Sequence, residues 1–203
     1  MKRAAIGIRA HSGWAAVVAV AGKVEASEIL DRQRISVVEP GARGATQPYH
    51  FAKGLPLKHA EDHLAGCAKV ARLLAAKGLQ TITQGLRRLG YEVNQCCILT
   101  ASGRALPPLA ETLASHPMIH TAEGEFFRNA FADACDDLGL VVLKVREREL
   151  FDRASAELRF TATQLKSRLA KLGHNLGPPW TQDEKNATVA AWLLLRRKAT
   201  SRR

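Results

Sequence analysis

Several things are scarce in this chain. No run approaches the roughly 18 consecutive apolar residues that a membrane-spanning helix requires. The most apolar stretch, Ala15 to Ala21, is approached through Arg9 and His11 rather than through the clean lead of a secretion signal. A cytoplasmic protein without a membrane partner is expected. Cysteine is limited to Cys67, Cys96, Cys97 and Cys135, and the adjacent pair does not make a CxxC knuckle. That excludes the usual zinc-knuckle and disulfide frameworks and leaves buried free thiols, as suits a reducing compartment. Internal repeats and low-complexity blocks are absent. Acid is short relative to base: 19 Asp and Glu stand against 30 Lys and Arg, a formal charge of +11. Five of those positives, Arg196, Arg197, Lys198, Arg202 and Arg203, sit in an acid-free C-terminal tail, which leaves six on residues 1–195. A basic body with a basic tail favours polyanionic partners, nucleic acid above all, although such charge also serves solubility.

What is present is the composition of a soluble globular protein, 46 % apolar and 24 % charged in 203 residues. That is enough chain for one domain over residues 1–195 with the tail, 196–203, as an appendage. The opening stretch, Lys2 to Glu39, reads as three β-rich runs. Ala4 to Ile8 has the continuous apolar character of a strand buried on both faces. Arg9-Ala10-His11-Ser12-Gly13 reads as a turn, with Gly13 tolerating positive φ. Trp14 to Val20 is the second run and Val24 to Val38 the third, with a helix-prone middle. Pro40 to Pro56, dense in glycine and proline, is expected to hold no regular element. It carries Arg43, Tyr49, His50, Phe51 and Lys53, aromatics among cations, a mixture that suits stacking on bases beside phosphates.

From His59 the apolar period changes to near 3.6, with Leu64, Cys67, Ala71 and Leu74 on one stripe and Leu79, Ile82, Leu86 and Leu89 on the next. This is either one long helix through Gly78 or two in succession. His59 and His63 stand four apart, a spacing able to hold a metal, but Glu61 and Asp62 between them do not make HExxH. Tyr91 to Thr100 reads as a fourth strand which, coming after a helix, pairs in parallel with the first. Leu106 to Ser115 is a short helix, Thr121 is the expected N-cap of the next, and Leu138 to Val145 is a fifth strand. Arg146 to Leu172 reads as one long amphipathic helix whose outer face carries Arg153, Arg159, Lys166, Arg168 and Lys171. Thr181 caps a last helix with Asp183 and Glu184 in its first turn.

The fold class expected is α/β. A three-strand meander, then helix, strand, helix, strand and a final acid-led helix, resembles the RNase H-like superfamily, a three-layer fold with a five-stranded mixed sheet flanked by helices. Within it, Gly7-Ile8-Arg9-Ala10 followed by Gly13-Trp14 resembles the RuvC-type resolvase nucleases, whose first strand runs G-I-D-P-G before a G-W or G-Y turn. The resemblance implies two-metal phosphodiester hydrolysis by acids from the first strand, the fourth strand and the last helix. Here Arg9 stands at the first-strand acid position, and Thr100-Ala101-Ser102 lacks the fourth-strand glutamate. Asp183 survives, with Asn186 three residues on.

Two functions follow from the resemblance. In the first, the protein binds nucleic acid without a complete two-metal site, through a phosphate pocket of Arg9, His11, Ser12 and Arg104. In the second it is a nuclease, with Asp183, Glu123 and Glu147 holding Mg²⁺ or Mn²⁺ and Asp183, Glu123, Glu125 and His11 as catalytic residues. An actin-like ATPase would share the strand order but needs a second lobe and an acidic, Gly-rich phosphate loop. A structural domain with incidental charge is the remaining possibility.

Overall fold

The computed structural model describes residues 1–101 and 105–196. Strands β1 (Lys2–His11), β2 (Trp14–Ala21), β3 (Glu28–Ser36), β4 (Tyr91–Thr100) and β5 (Val141–Arg146) form one sheet in the order β3-β2-β1-β4-β5. β1 to β3 make an antiparallel meander, while β1 with β4 and β4 with β5 run parallel. This is the five-stranded mixed sheet, a meander followed by parallel strands, expected from the sequence. Both parallel pairs are joined through helices, α2 (Leu57–Arg88) before β4 and α4 (His116–Asp137) before β5, because a parallel connection must cross the sheet.

The period-two alternation of strands sorts the side chains into two layers. Ile6, Ile8, Val17, Ala19, Cys96 and Ile98 face α2 and α4 in one core. Ala5, Val18, Val20, Cys97 and Leu99 face the other, built with α5 (Leu150–Leu158), α6 (Ala162–Leu176) and α7 (Gln182–Arg196). α7 lies directly on the central strand, and a Cβ on Gly7 would collide with the backbone of Ala187. The glycine is there because the helix backbone occupies the space of a side chain. By the same parity Arg9 and His11, two and four residues on, point to the α7 side at the carboxyl end of β1.

The structure resolves or corrects the sequence reading in several places. β1 runs on through Arg9, Ala10 and His11, so the expected turn from Arg9 to Gly13 is confined to Ser12 and Gly13. Pro40 to Pro56 is not wholly irregular: Pro48 starts α1 (Pro48–Ala52), a proline at the first turn being compatible with a helix. The third run is a 3₁₀ turn at Val24–Ala26 followed by β3, so strand pairing with β2 overrides the helix propensity of its middle. The Gly78 alternatives resolve to one 32-residue helix, with Ile35 of β3 packed where a side chain at Gly78 would lie. The stretch from Arg146 to Leu172 is broken. Arg159 takes φ 61 as the C-cap of α5, and Thr161 with Gln164 forms a reciprocal capping box that starts α6. Finally, α3 (Leu109–Ala114) is short and α4 starts at His116, so Thr121 is an interior residue whose hydroxyl donates to the Pro117 carbonyl. At α7 the expected cap is present: the Glu184 N–H donates to the Thr181 hydroxyl at 3.4 Å, and the Thr181 N–H donates back to the Glu184 carboxylate at 2.6 Å.

Among the described residues no helix is long and apolar enough to cross a membrane. Cys96, Cys97 and Cys135 are buried free thiols and Cys67 is half-buried and free. A hydrogen bond with Cys135, with burial added, pushes the pKa of the Cys96 thiol well above its ordinary range.

Candidate functional site

The carboxyl end of β1 gathers side chains from three parts of the chain. Arg9 projects from β1, Glu147 from the turn after β5, and Asp183 and Asn186 from the first turns of α7. The Arg9 guanidinium lies between the two acids. Its Nε and Nη2 reach Glu147 Oε1 at 2.8 and 2.7 Å, and its Nη1 contacts Asp183 Oδ1. His11 Nε2 lies 2.9 Å from Arg9 Nη1 and 3.2 Å from Asp183 Oδ1. Asn186, buried, donates its amide to Glu147 Oε1 at 3.1 Å and accepts from Gln182 at 2.7 Å.

The imidazole of His11 stacks on Trp14 with ring centroids 4.4 Å apart, and the Arg34 guanidinium lies 3.7 Å from the Trp14 ring centroid. The Trp14 stack therefore fixes the His11 ring from the side. Burial, followed by the positive charge of Arg9, lowers the His11 pKa below 6.5, against an opposing pull from Glu147. The shift favours the neutral imidazole, in which one ring nitrogen donates and the other accepts.

The remaining candidates are dispersed. Ser12 is exposed at the hairpin tip. Arg104 and Ser102 lie outside the described residues, as does the tail from residue 197. Thr100, at the end of β4, lines a cleft of about 580 Å³ with Glu125, Lys144, Arg146, Glu149 and Arg153. Glu125 is paired there with Arg128 at 3.3 Å. Glu123 is held elsewhere: buried on α4, it accepts the backbone N–H groups of Tyr49 and His50 and the His50 ring, each at 3.0 Å. Its partners belong to α1, in the layer across the sheet from α7. The basic face expected on one long helix is divided between α5 and α6. Arg153 is paired with Glu157 at 2.6 Å, and Arg168 donates to the Glu25 carbonyl at 2.9 Å.

The resemblance implies a pair of divalent ions at this end of β1, and the residues there do not fit them. A metal pair needs carboxylate lone pairs converging on open space. Here the donors of Arg9 and Asn186 converge on Glu147 Oε1 and Arg9 also contacts Asp183 Oδ1, so a guanidinium already stands between the two acids.

Searches with the sequence find no matching family model and no matching characterised protein. Among solved structures the chain is similar to Thermus thermophilus RuvC in complex with a Holliday junction substrate, at 13 % identity and a TM-score of 0.48, over 94 % of this chain and 91 % of that one. It is likewise similar to Thermus thermophilus RuvC determined separately, at 12 % identity and a TM-score of 0.47, over 94 % and 92 % of the two chains. The fold assignment itself rests on the strand order and pairing described above.

The sequence reading missed one participant and one cluster. Asn186 appeared only as a neighbour of Asp183, whereas its amide donates to Glu147. The second is His50, His116 and His120, whose ring nitrogens gather within 4.8 Å of one another. The His116 and His120 spacing is visible in HPMIH, but a helix expected to begin at Thr121 leaves both outside it. With the helix starting at His116, the two rings share one face.

Proposed function

We propose that this protein binds nucleic acid with the carboxyl-end face of an RNase H-like sheet, as a RuvC-type relative in which a guanidinium has replaced the catalytic metals. The observation that carries this reading is the seat of Arg9 between Glu147 and Asp183. At the position where the resemblance implies an ion held by carboxylates, this chain supplies its own cation through a covalent stem.

The exchange keeps a positive charge between the acids while removing the chemistry of the metals. Arg9 offsets one of the two negative charges, so a phosphodiester approaching this face meets a partly neutralised pair. No Lewis acid or metal-bound nucleophile arises from these side chains. Attraction then comes from the basic body of the protein, +11 over the whole chain, and from cations near His11 such as Arg34 and Arg128. Such binding follows the phosphate backbone and weakens with salt. Arg104 would join it from the segment after β4.

The test is a fluorescence anisotropy titration with single-stranded, duplex and four-way-branched DNA and with RNA, at several salt concentrations. Binding tighter than about 1 µM at low salt, with affinity falling steeply as salt rises, is the expected result. No binding of any of these at low salt would overturn the reading. A parallel incubation with Mn²⁺ or Mg²⁺ separates it from the nuclease alternative. Cleavage that disappears on Asp183→Ala would assign the protein to metal-dependent phosphodiester hydrolysis instead.

A further inference from the structure

We propose a separate site for a zinc-type divalent cation made by His50, His116 and His120, with Glu123 behind it. His116 and His120 stand four residues apart on the first turns of α4, and His50 approaches from α1. The rings contact edge to face, with centroids 4.5 Å apart for His116 and His120, 4.8 Å for His50 and His120, and 5.7 Å for His50 and His116. One ring nitrogen of each lies within 4.8 Å of the others.

Three features point to a ligand rather than to three solvated imidazoles. The first is the 3.1 Å separation of His116 Nε2 and His120 Nε2, two groups exposed enough to move apart freely. Two nitrogens on one tetrahedral zinc, each about 2.05 Å from the metal, lie about 3.3 Å apart, so this pair is already near ligating separation. The second is the hydrogen bond between His50 Nδ1 and Glu123 Oε1 at 3.0 Å. A carboxylate on one nitrogen of an imidazole fixes its tautomer, leaves the lone pair on the other and raises its basicity, the usual support behind a zinc-bound histidine.

The third feature is Glu123 itself. Its side chain is 6 % exposed and its Oε2 is buried with no hydrogen-bond partner. The described groups against it are backbone N–H groups and His50, with Tyr49 and Cys67 close enough for its charge to help raise their pKa values after burial. No arginine or lysine pairs with it among the described residues. A buried carboxylate without a full counter-charge is unfavourable. A divalent ion on the neighbouring imidazoles supplies that charge.

Imidazole nitrogen ligands select zinc, or copper, nickel and cobalt, over magnesium. Three protein ligands leave a fourth position for water. The ion would tie α1, and with it the segment after β3, to the start of α4. It sits in the α2 and α4 layer, so it is independent of the Arg9 cluster and of the nucleic-acid reading.

The experiment uses the full chain without an affinity tag, stripped with chelator and titrated with Zn²⁺ against a chromophoric competitor. Saturation at one equivalent per chain is expected, with a rise in melting temperature on loading. His120→Ala and His116→Ala, both at exposed positions, should each lose the one-equivalent phase, while His59→Ala keeps it. Glu123→Gln should weaken binding about 10- to 100-fold. Co²⁺ in place of Zn²⁺ should give the visible bands of a tetrahedral centre, absent in His120→Ala. Absence of a one-equivalent phase, or a phase unchanged in His120→Ala and His116→Ala, overturns the site.

Discussion

Replacing Arg9 by methionine keeps most of the side-chain volume and removes the charge that Glu147 and Asp183 share. Three nitrogen atoms of Arg9 contact these acids, two on Glu147 at 2.7 and 2.8 Å and one on Asp183. Hydrogen bonds to charged groups contribute about 1.5–3 kcal/mol each, which would sum to well over 4 kcal/mol if they were independent and fully buried. They are neither, since the Arg9 and Glu147 side chains keep 22 % and 34 % of their exposure. Exposed ion pairs contribute about 0–1 kcal/mol, whereas breaking a buried one costs about 3–5 kcal/mol. The site lies between these limits, and a loss of about 2–3 kcal/mol is expected. For a chain of this size that is a fall in melting temperature of about 4–12 °C.

Most of that loss arises from two acids left facing each other, not from the lost bonds. Adding Glu147→Gln and Asp183→Asn to Arg9→Met should therefore recover much of the stability. Thermal and urea unfolding of the single and triple variants at neutral pH measure both quantities. A melting temperature within about 2 °C of the parent for Arg9→Met, or a triple variant less stable than the single, would refute the view that Arg9 is the counter-ion of this site.

Three more outcomes can be checked. His11, with a pKa lowered chiefly by burial and next by Arg9, should titrate below 6.5 by NMR and shift upward in Arg9→Met. Because the unfolded chain then binds the proton more tightly than the folded one, the His11 contribution to stability is full above the unfolded value. It is lost as pH falls through 6.5 to the folded value, and an unchanged His11 titration in Arg9→Met would contradict the geometry. Gly7→Ala forces a methyl group into the Ala187 backbone, so it should lower stability by more than about 3 kcal/mol or prevent folding, as seen by circular dichroism and denaturant unfolding. Thr161→Ala removes one half of the α6 capping box and should lower stability by about 1 kcal/mol in the same assay, with Thr161→Ser near neutral.

The local patterns of the sequence carried the sheet and most of the helices. Continuous apolar, β-prone runs at Ala4 to Ile8 and Trp14 to Val20, a glycine at the first turn and a helix before β4 imply the meander and the parallel pairing of β4 with β1. These depend on contacts between near neighbours and on chain connectivity, which a sequence displays. Helix boundaries were less legible. Arg159 in a left-handed conformation and the Thr161 capping box break what hydrophobic period alone presents as continuous.

What the sequence determined by itself was the succession of strands and helices, the parallel pairing of the fourth strand with the first, and the presence of a cation, Arg9, at the end of the first strand. Only the tertiary structure decided what that cation does. Arg9 meets Glu147 across 138 residues of chain, and Glu123 meets His50 across 73. Such partners are chosen by which helix ends the fold brings to one edge of the sheet, and no local period or spacing encodes that choice. The sequence therefore grouped Glu123 with Asp183 as candidate metal ligands, whereas packing placed one behind a trio of histidines and closed the other onto arginine.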